Sequence, residues 1–212
     1  MQTLLSFLAA SVLLTLAPGP DILFVATKSL ARGARAGISV AAGLCSGVFF
    51  HTSLAAVGVS LILRRSPTAF TALKIAGTLY LLFLAFKAFR NRKAVPAADA
   101  SEKNPQEAPN AAERFPALFR TGLLMNVLNP KVALFFLALL PQFVPADAES
   151  PQLTMLGLGV VFALQAFAVF SVVSFCAGTL FASLRKRPAF GETLNVLTAL
   201  VLVAVAAALF FV

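Results

Sequence analysis

Charged residues and reactive side chains are scarce in this chain of 212 residues. Only 12% of its residues are charged, whereas a soluble domain carries about 25%. A chain with so little charge cannot cover a surface that faces water, so we expect lipid to cover part of it. The two cysteines, Cys45 and Cys176, both lie in apolar runs. This placement favours packing roles over a disulfide or a metal site.

Sequence patterns of common enzymes are also missing. The chain has no G-x-S-x-G, H-E-x-x-H or C-x-x-C pattern and no phosphate-binding loop. We therefore expect neither catalysis nor ATP hydrolysis. For the same reason we expect no metal and no other cofactor.

Long apolar runs are what the sequence does contain. Hydrophobic residues make up 59% of the chain, and a helix needs roughly 20 of them to cross a bilayer core. Strands of a barrel would alternate in polarity over about ten residues, which these runs do not. The sequence predicts an all-α polytopic membrane protein with six transmembrane helices, at about 2–26, 38–63, 69–90, 117–141, 153–182 and 190–211.

Basic residues are concentrated in three of the loops between these runs. Cytoplasmic loops carry the excess of Lys and Arg, so both termini are expected to lie outside the cytoplasm. The net charge of +9 then reflects topology and contact with anionic lipid, not binding of nucleic acid. The residues that set this orientation are Lys28, Arg32, Arg35, Lys87, Arg90, Arg92, Lys93, Lys103, Arg114, Arg120, Arg185, Lys186 and Arg187.

A polar segment at 91–115 separates two similar halves. It is rich in Ala, Pro and charge and cannot bury enough apolar surface to fold alone, so a disordered cytoplasmic linker is predicted. The halves, 1–90 and 116–212, each have three predicted helices, of which the first is interrupted by proline. Because three is an odd number, the second half enters the membrane from the opposite side. This predicts two inverted three-helix repeats in a single transporter domain, 1–212; chance likeness of two apolar triplets is the alternative.

Pro18, Gly19 and Pro20 interrupt the first predicted helix. Proline lacks the amide proton that a helix needs, and freed backbone groups inside a membrane are tolerated only where protein buries them or where they line a wet cavity. Asp21 follows, in the first turn of a half-helix predicted at 21–27, where exposed amides favour negative charge. Two roles for Asp21 stay open: an interfacial helix cap, or a carboxylate that couples transport to protons or substrate.

Asn129, Pro130 and Lys131 interrupt the fourth predicted helix. Pro130 opens the helix, and Asn129 can hydrogen-bond the freed backbone. A charged lysine at the bilayer centre costs at least about 2.5–3.5 kcal/mol, which predicts a counter-ion or a functional use. Asp21 is the only acidic residue in the first five apolar runs, so we predict an Asp21–Lys131 pair. A lysine that snorkels to the interface, or is neutral, is the alternative.

Other polar side chains in the predicted spans have two interpretations. His51, the only histidine, is either a packed, hydrogen-bonded residue or a proton relay, since imidazole titrates near neutral pH. Gln165 lies where the repeat would place its counterpart, and Asn126 adds hydrogen-bonding capacity. Both are candidates for lining a cavity or relaying protons. Gly43 and Gly47 form a G-x-x-x-G face, which favours close helix packing over ligand contact.

Two motifs resemble one family of transporters. P-G-P-D at 18–21, and N-P-K at 129–131 followed by an aromatic-rich stretch ending in P-Q-F, are similar to the lysine-exporter and homoserine/threonine-exporter (LysE/RhtB) family. The resemblance covers nearly the whole chain. It implies export of amino acids from the bacterial cytoplasm across the inner membrane, driven by protons. It also implies substrate contacts or transport roles for Pro18, Gly19, Pro20, Asp21, Asn129, Pro130 and Lys131.

The substrate expected from this resemblance is a neutral or small polar amino acid, such as homoserine or threonine, exchanged for protons by alternating access. Membrane lipid is the other expected contact, and a homodimer is compatible with the sequence but not required by it. Two rivals stay open. A metal or inorganic-ion exporter would need more intramembrane ligands than this chain shows, and a membrane enzyme or a non-transporting scaffold belongs to another class.

Overall fold

The computed structural model describes residues 2–17, 19–65, 67–92, 115–145, 147–177 and 188–211. Within these ranges every regular element is helical, which confirms the all-α class. A π-helical turn (Phe135–Leu139) and a 3-10 turn (Leu140–Phe143) follow the sixth helix. The α-helices are α1 (Gln2–Leu16), α2 (Pro20–Arg32), α3 (Ala34–Arg65), α4 (Pro67–Arg90), α5 (Phe115–Val127), α6 (Pro130–Leu134), α7 (Pro151–Cys176) and α8 (Pro188–Phe211).

Proline fixes where most of these helices begin. Five of the eight described α-helices, namely α2, α4, α6, α7 and α8, have proline as their first residue. The first residue of a helix has no intrahelical partner for its amide, so proline is well suited to that position. Both predicted interruptions are present: α1 ends at Leu16 before Pro20 begins α2, and α5 ends at Val127 before Pro130 begins α6.

Up to four membrane spans can be assigned from length and hydropathy in the described residues. Two are single helices, α7 and the Ala34–Gly58 part of α3. The others are bent pairs, α1 with α2 and α5 with α6, and the second pair is bent by 51°. Helices α4 and α8 coincide with the predicted runs 69–90 and 190–211, but six spans and an inverted repeat stay predictions. Most of the predicted linker, 93–114, lies outside the described residues.

Helix α3 lies at the centre of the packing. Its most extensive contacts are with α5 and α7, while α4 packs against α8. The α3–α5 contact depends on glycine, because a side chain at Gly43 would collide with the Phe119 carbonyl and one at Gly122 with the Val40 carbonyl. Gly47 lies one turn further along the same contact. These glycines let two helix backbones approach closely, in line with the predicted packing role.

Helix α2 is longer than the sequence suggests. The half-helix predicted at 21–27 continues to Arg32, because the next breaking residue is Gly33, with a φ of 85°. Lys28, expected in the first loop, therefore lies on this helix and is buried. Its ammonium is 5.3 Å from the centre of the Phe24 ring, and such a cation–π contact stabilises an ammonium that has lost water.

The outer faces of the helices are apolar. Phe83 on α4 and Leu164 and Phe175 on α7 are each more than half exposed. Many exposed apolar side chains on long helices mark contact with another apolar phase, and lipid supplies one. Together with the long apolar helices, they identify a multi-pass membrane protein.

Candidate functional site

Lys131 reaches across to the first helix break. Its ammonium donates hydrogen bonds to the carbonyls of Leu14 (3.1 Å) and Ala17 (3.0 Å) at the end of α1. In a continuous helix the Leu14 carbonyl would bond the amide of residue 18, but Pro18 has no amide proton. A cation at a helix C-terminus also complements the partial negative charge there. Lys131 therefore supplies hydrogen bonds that the break removes from α1.

Asn129 joins the two breaks. Its side-chain oxygen accepts a hydrogen bond from the Lys131 amide (3.0 Å), which makes Asn129 the N-cap of α6. Its side-chain nitrogen donates to Oδ2 of Asp21 (2.9 Å), in the first turn of α2. One buried side chain therefore fixes both the start of α6 and the position of the Asp21 carboxylate.

His51, on α3, donates a hydrogen bond to the backbone at the second break. Pro130 lacks the amide that would bond the Asn126 carbonyl in a continuous helix. That carbonyl instead accepts hydrogen bonds from the amide of Asn129 and from Nε2 of His51, each at 2.9 Å. The imidazole is buried, and its ring centre lies 6.3 Å from that of Phe136. This geometry matches the packed, hydrogen-bonded interpretation of His51, and proton relay stays a prediction.

Gln165 on α7 contacts α1 in a way that resembles the contact of His51 with α5. Its side-chain nitrogen donates to the hydroxyl of Thr15 (2.9 Å), whose own proton goes to the Ser11 carbonyl (2.8 Å). Helix α7 thus contacts α1 through Gln165, much as α3 contacts α5 through His51. The inverted repeat predicts this correspondence, although the two side chains bond different groups.

A small cavity lies where the two breaks meet. Its volume of about 30 Å³ is enough for about two water molecules. Pro130, His51 and Gln165 are described but do not line it, and Pro18 lies outside the described residues. The predicted site residues that do line it are Gly19, Pro20, Asp21, Asn126, Asn129 and Lys131.

Two buried acceptors on residues that line this cavity have no hydrogen-bond partner in the part of the chain that the structure describes. They are Oδ1 of Asp21 and Oδ1 of Asn126. Leaving a buried polar group unpaired costs about 1–3 kcal/mol, and a ligand bound in the cavity can offset that cost. Because both atoms accept and neither donates, they suit a ligand that donates, such as an ammonium group.

The direct Asp21–Lys131 ion pair that the sequence predicts is not formed. The carboxylate bonds Asn129 and the ammonium bonds the two carbonyls of α1, and no ion pair joins the two side chains among the described residues. The reason is competition, because the break exposes carbonyls that accept from the same ammonium. Both charged groups nevertheless line one cavity.

Metal-ligating side chains are dispersed. Within the described ranges, no three side chains of His, Cys, Asp or Glu lie together. The charged groups of the cavity are one carboxylate and one ammonium. Such a combination suits a ligand with both charges better than a bare cation.

Residues that the sequence did not identify as site residues, most of them apolar, form the rest of the wall. Their only sequence signal is spacing, since steps of four residues place Phe162, Ala166 and Phe170 on one face of α7. The same spacing is typical of core packing, so it does not identify a site by itself. The remaining lining residues are Leu14, Thr15, Ala17, Ile22, Leu44, Cys45, Val48 and Val132.

Fold and cavity together define a class of protein. It is a multi-pass membrane protein in which two proline-interrupted helices meet at a cavity that holds one carboxylate and one ammonium. Interrupted helices of this kind form the binding sites of many transporters. Sequence comparison gives the particular family. The family model of the LysE type translocators matches residues 12–211, so the chain belongs to that family, as its two motifs predict.

Similar proteins of comparable length include uncharacterized membrane proteins and leucine efflux proteins. An uncharacterized membrane protein of Pseudomonas aeruginosa is 32% identical over 184 residues, 86% of this chain and 82% of that protein. A leucine efflux protein of Klebsiella pneumoniae is 30% identical over 172 residues, 81% of this chain and 74% of that protein. A leucine efflux protein of Salmonella choleraesuis is 30% identical over 171 residues, covering 81% and 73%. No solved structure matches the chain.

Proposed function

We propose that the protein is a secondary transporter that exports neutral amino acids from the cytoplasm. The observation that carries this proposal is the cavity that holds an unpaired carboxylate oxygen of Asp21 together with the ammonium of Lys131. A zwitterionic substrate needs an acceptor for its ammonium and a donor for its carboxylate. The leucine efflux proteins among the relatives support a neutral amino acid as substrate.

Each end of the zwitterion has a partner in the cavity. The substrate ammonium binds Oδ1 of Asp21 and Oδ1 of Asn126, the two acceptors without partners. The substrate carboxylate binds the third N–H of Lys131, because the other two donors of that ammonium already bond α1. The first turn of α2, which begins at the cavity with Pro20, adds partial positive charge.

The proposed cycle requires the helices around the cavity to separate. About 30 Å³ holds about two water molecules, which is too little for an amino acid. We propose that the halves 1–90 and 116–212 rock against each other to open the cavity to one side and then the other, as repeats do in many secondary transporters. The contacts that rearrange are those joining the halves, above all Asp21–Asn129 and Lys131–α1.

Asp21 also carries the proton in this proposal. Its unpaired oxygen binds either a proton or the substrate ammonium, so that one is exchanged for the other. The proton gradient across the bacterial inner membrane then drives export. The excess of basic residues in three loops supports a cytoplasmic position for the predicted linker, 91–115, with both termini outside the cytoplasm.

Asp21→Asn in reconstituted vesicles tests the proposal. Asparagine has nearly the same shape as aspartate but takes up no proton at this position. We expect the variant to lose the stimulation of labelled leucine efflux by an imposed pH gradient. Asp147→Asn is the matched control, because Asp147 is an exposed acid in the loop before α7. Full proton-coupled efflux by Asp21→Asn would overturn the coupling, and a wild type that exports no amino acid would overturn the function.

A further inference from the structure

Two long helices give the cavity an apolar wall. Leu44 and Val48 are one turn apart on α3, and both are buried. Phe162, Ala166 and Phe170 follow each other in steps of four residues on α7, and they too are buried. The charged lining residues, by contrast, come from the two breaks.

Ala166 leaves a notch in this wall. It lies one helical turn from each phenylalanine, and those two residues are separated by eight positions, or about 12 Å along the axis. Phe162 is held in place, because its ring centre lies 5.5 Å from that of Phe135 and 5.0 Å from that of Phe136. The methyl group of Ala166 is thus the smallest side chain between two large rings.

The wall offers few hydrogen-bonding partners to a polar side chain of the substrate. The hydroxyl of Thr15, which also lines the cavity, already donates to the Ser11 carbonyl and accepts from Gln165. The unpaired oxygens of Asp21 and Asn126 are the acceptors assigned above to the substrate ammonium. The side chains that α3 and α7 contribute to this wall carry no oxygen or nitrogen, so a substrate hydroxyl that lies against them is buried without a partner, which costs about 1–3 kcal/mol.

We infer that this wall binds an aliphatic side chain of the transported amino acid, and that Ala166 sets the largest side chain accepted. This inference rests on the proposed function and narrows it from neutral amino acids in general to those with aliphatic side chains. It departs from the homoserine- or threonine-like substrate that the sequence resemblance implies. Apolar surface removed from water drives the recognition.

Ala166→Leu tests the assignment. The larger side chain fills the notch, so the ratio of leucine export to alanine export should fall about tenfold, the effect of a change in pocket size of one or more methylenes. Ala168→Leu is the matched control, because Ala168 lies two residues further along α7 and is exposed. Its leucine-to-alanine ratio should equal that of the wild type. An unchanged ratio in Ala166→Leu overturns the inference, as does an equal loss of both substrates.

Binding can be measured without transport through Cys45, a lining residue on α3. In a Cys176→Ser background Cys45 is the only thiol, and its modification by N-ethylmaleimide can be followed by mass spectrometry. Leucine should slow modification severalfold, whereas serine and threonine should protect much less at the same concentration. The protection by leucine should be lost in Ala166→Leu and kept in Ala168→Leu.

The two readouts separate failure of the inference from failure of the proposed function. Equal protection by leucine and threonine, with leucine export intact, overturns the aliphatic pocket and leaves the exporter in place. Absence of both protection and export for every amino acid overturns the exporter, and the pocket with it. Protection by leucine that Ala166→Leu does not change shows that Ala166 does not set the size limit.

Discussion

At the first helix break, both replacement hydrogen bonds come from one side chain in the other half of the chain. At the second break, one bond comes from the other half, through His51, and the others come from Asn129 at the break itself. At the first break the carbonyls of Leu14 and Ala17 depend on the ammonium of Lys131. The residue before α2, Gly19, offers no side-chain cap. At the second break Asn129 caps α6 from within and adds its own backbone amide to the end of α5.

Because of this difference, the hydrogen bonds at the first break depend on contact between the two halves of the chain. A movement that separates Lys131 from α1 leaves two carbonyls without these bonds inside the membrane, which is unfavourable unless water or substrate replaces the ammonium. The second break keeps its cap during such a movement, because Asn129 caps the amide of Lys131, only two residues further along the chain. We therefore expect the structure of α1 to respond when the cavity opens, and α6 to stay as it is.

Replacing Lys131 with methionine should have the largest effect on this comparison. Methionine fills a similar volume but cannot donate to Leu14 or Ala17. Two unpaired carbonyls cost about 1–3 kcal/mol each, so we expect the free energy of unfolding to fall by about 2–6 kcal/mol and export to fall by about a hundredfold. Circular dichroism during heating in detergent measures the first effect, and leucine efflux from vesicles measures the second.

Two further variants show whether another cationic donor can replace Lys131 and whether Lys131 acts together with Asp21. Lys131→Arg keeps donors and charge and should retain most of the stability. The double variant Asp21→Asn/Lys131→Met should lose less export than the sum of the single losses, because the two charges share one cavity. Additive losses would show that Asp21 and Lys131 act independently.

Both breaks could be predicted from the sequence, because proline acts through local backbone chemistry. Their partners could not be predicted. Lys131 bonds the Leu14 carbonyl across 117 positions of the chain, and nothing local encodes that contact. Two opposite charges in apolar runs suggested the Asp21–Lys131 pair, but the freed carbonyls compete for the same ammonium. A rule based on side-chain charges alone overlooks backbone acceptors.

The apolar wall was unpredictable for a different reason. With 59% hydrophobic residues, every helix offers apolar faces, and the face that meets the cavity depends on how the helix is rotated. That rotation is set by contacts such as Gly43 against the Phe119 carbonyl. The polar site residues Asp21 and Asn129 were easier to find, because polar groups are rare in these runs.

Asn129→Ala should have the second-largest effect. It removes the N-cap of α6, worth about 1 kcal/mol, and the hydrogen bond to the Asp21 carboxylate, worth about 1.5–3 kcal/mol. Asn129→Ser separates the contribution of the N-cap from that of the hydrogen bond to Asp21. Serine still caps the helix but lacks the side-chain amide that donates to Asp21. We expect heating experiments to rank stability as wild type, then serine, then alanine. Equal stability of the two variants would show that the N-cap contributes nothing.

His51 should matter less, because the Asn126 carbonyl keeps the amide of Asn129 as a donor. His51→Ala should lower stability by about 0.5–1.5 kcal/mol and export by severalfold. His51→Gln, which retains an N–H donor, should recover most of both. Export measured from pH 5.5 to 8.5 distinguishes a proton relay from a purely hydrogen-bonding role of His51. If His51 relays protons, the export of His51→Gln should lose the pH dependence of the wild type. If His51 only donates to the Asn126 carbonyl, the variant should keep that pH dependence.

Gln165→Leu should have the smallest effect, and it sharpens the comparison of the two halves. The repeat would give Gln165 the same importance as His51, but the local chemistry does not. Thr15 keeps its bond to the Ser11 carbonyl without Gln165, and Oε1 of Gln165 is itself buried without a partner among the described residues. Removing that oxygen offsets part of the lost hydrogen bond, so we expect less than about 0.5–1 kcal/mol of destabilisation by heating. A loss as large as that of His51→Ala would instead mean that both halves depend equally on their central helices, and that α1 is held as firmly by α7 as α5 is by α3.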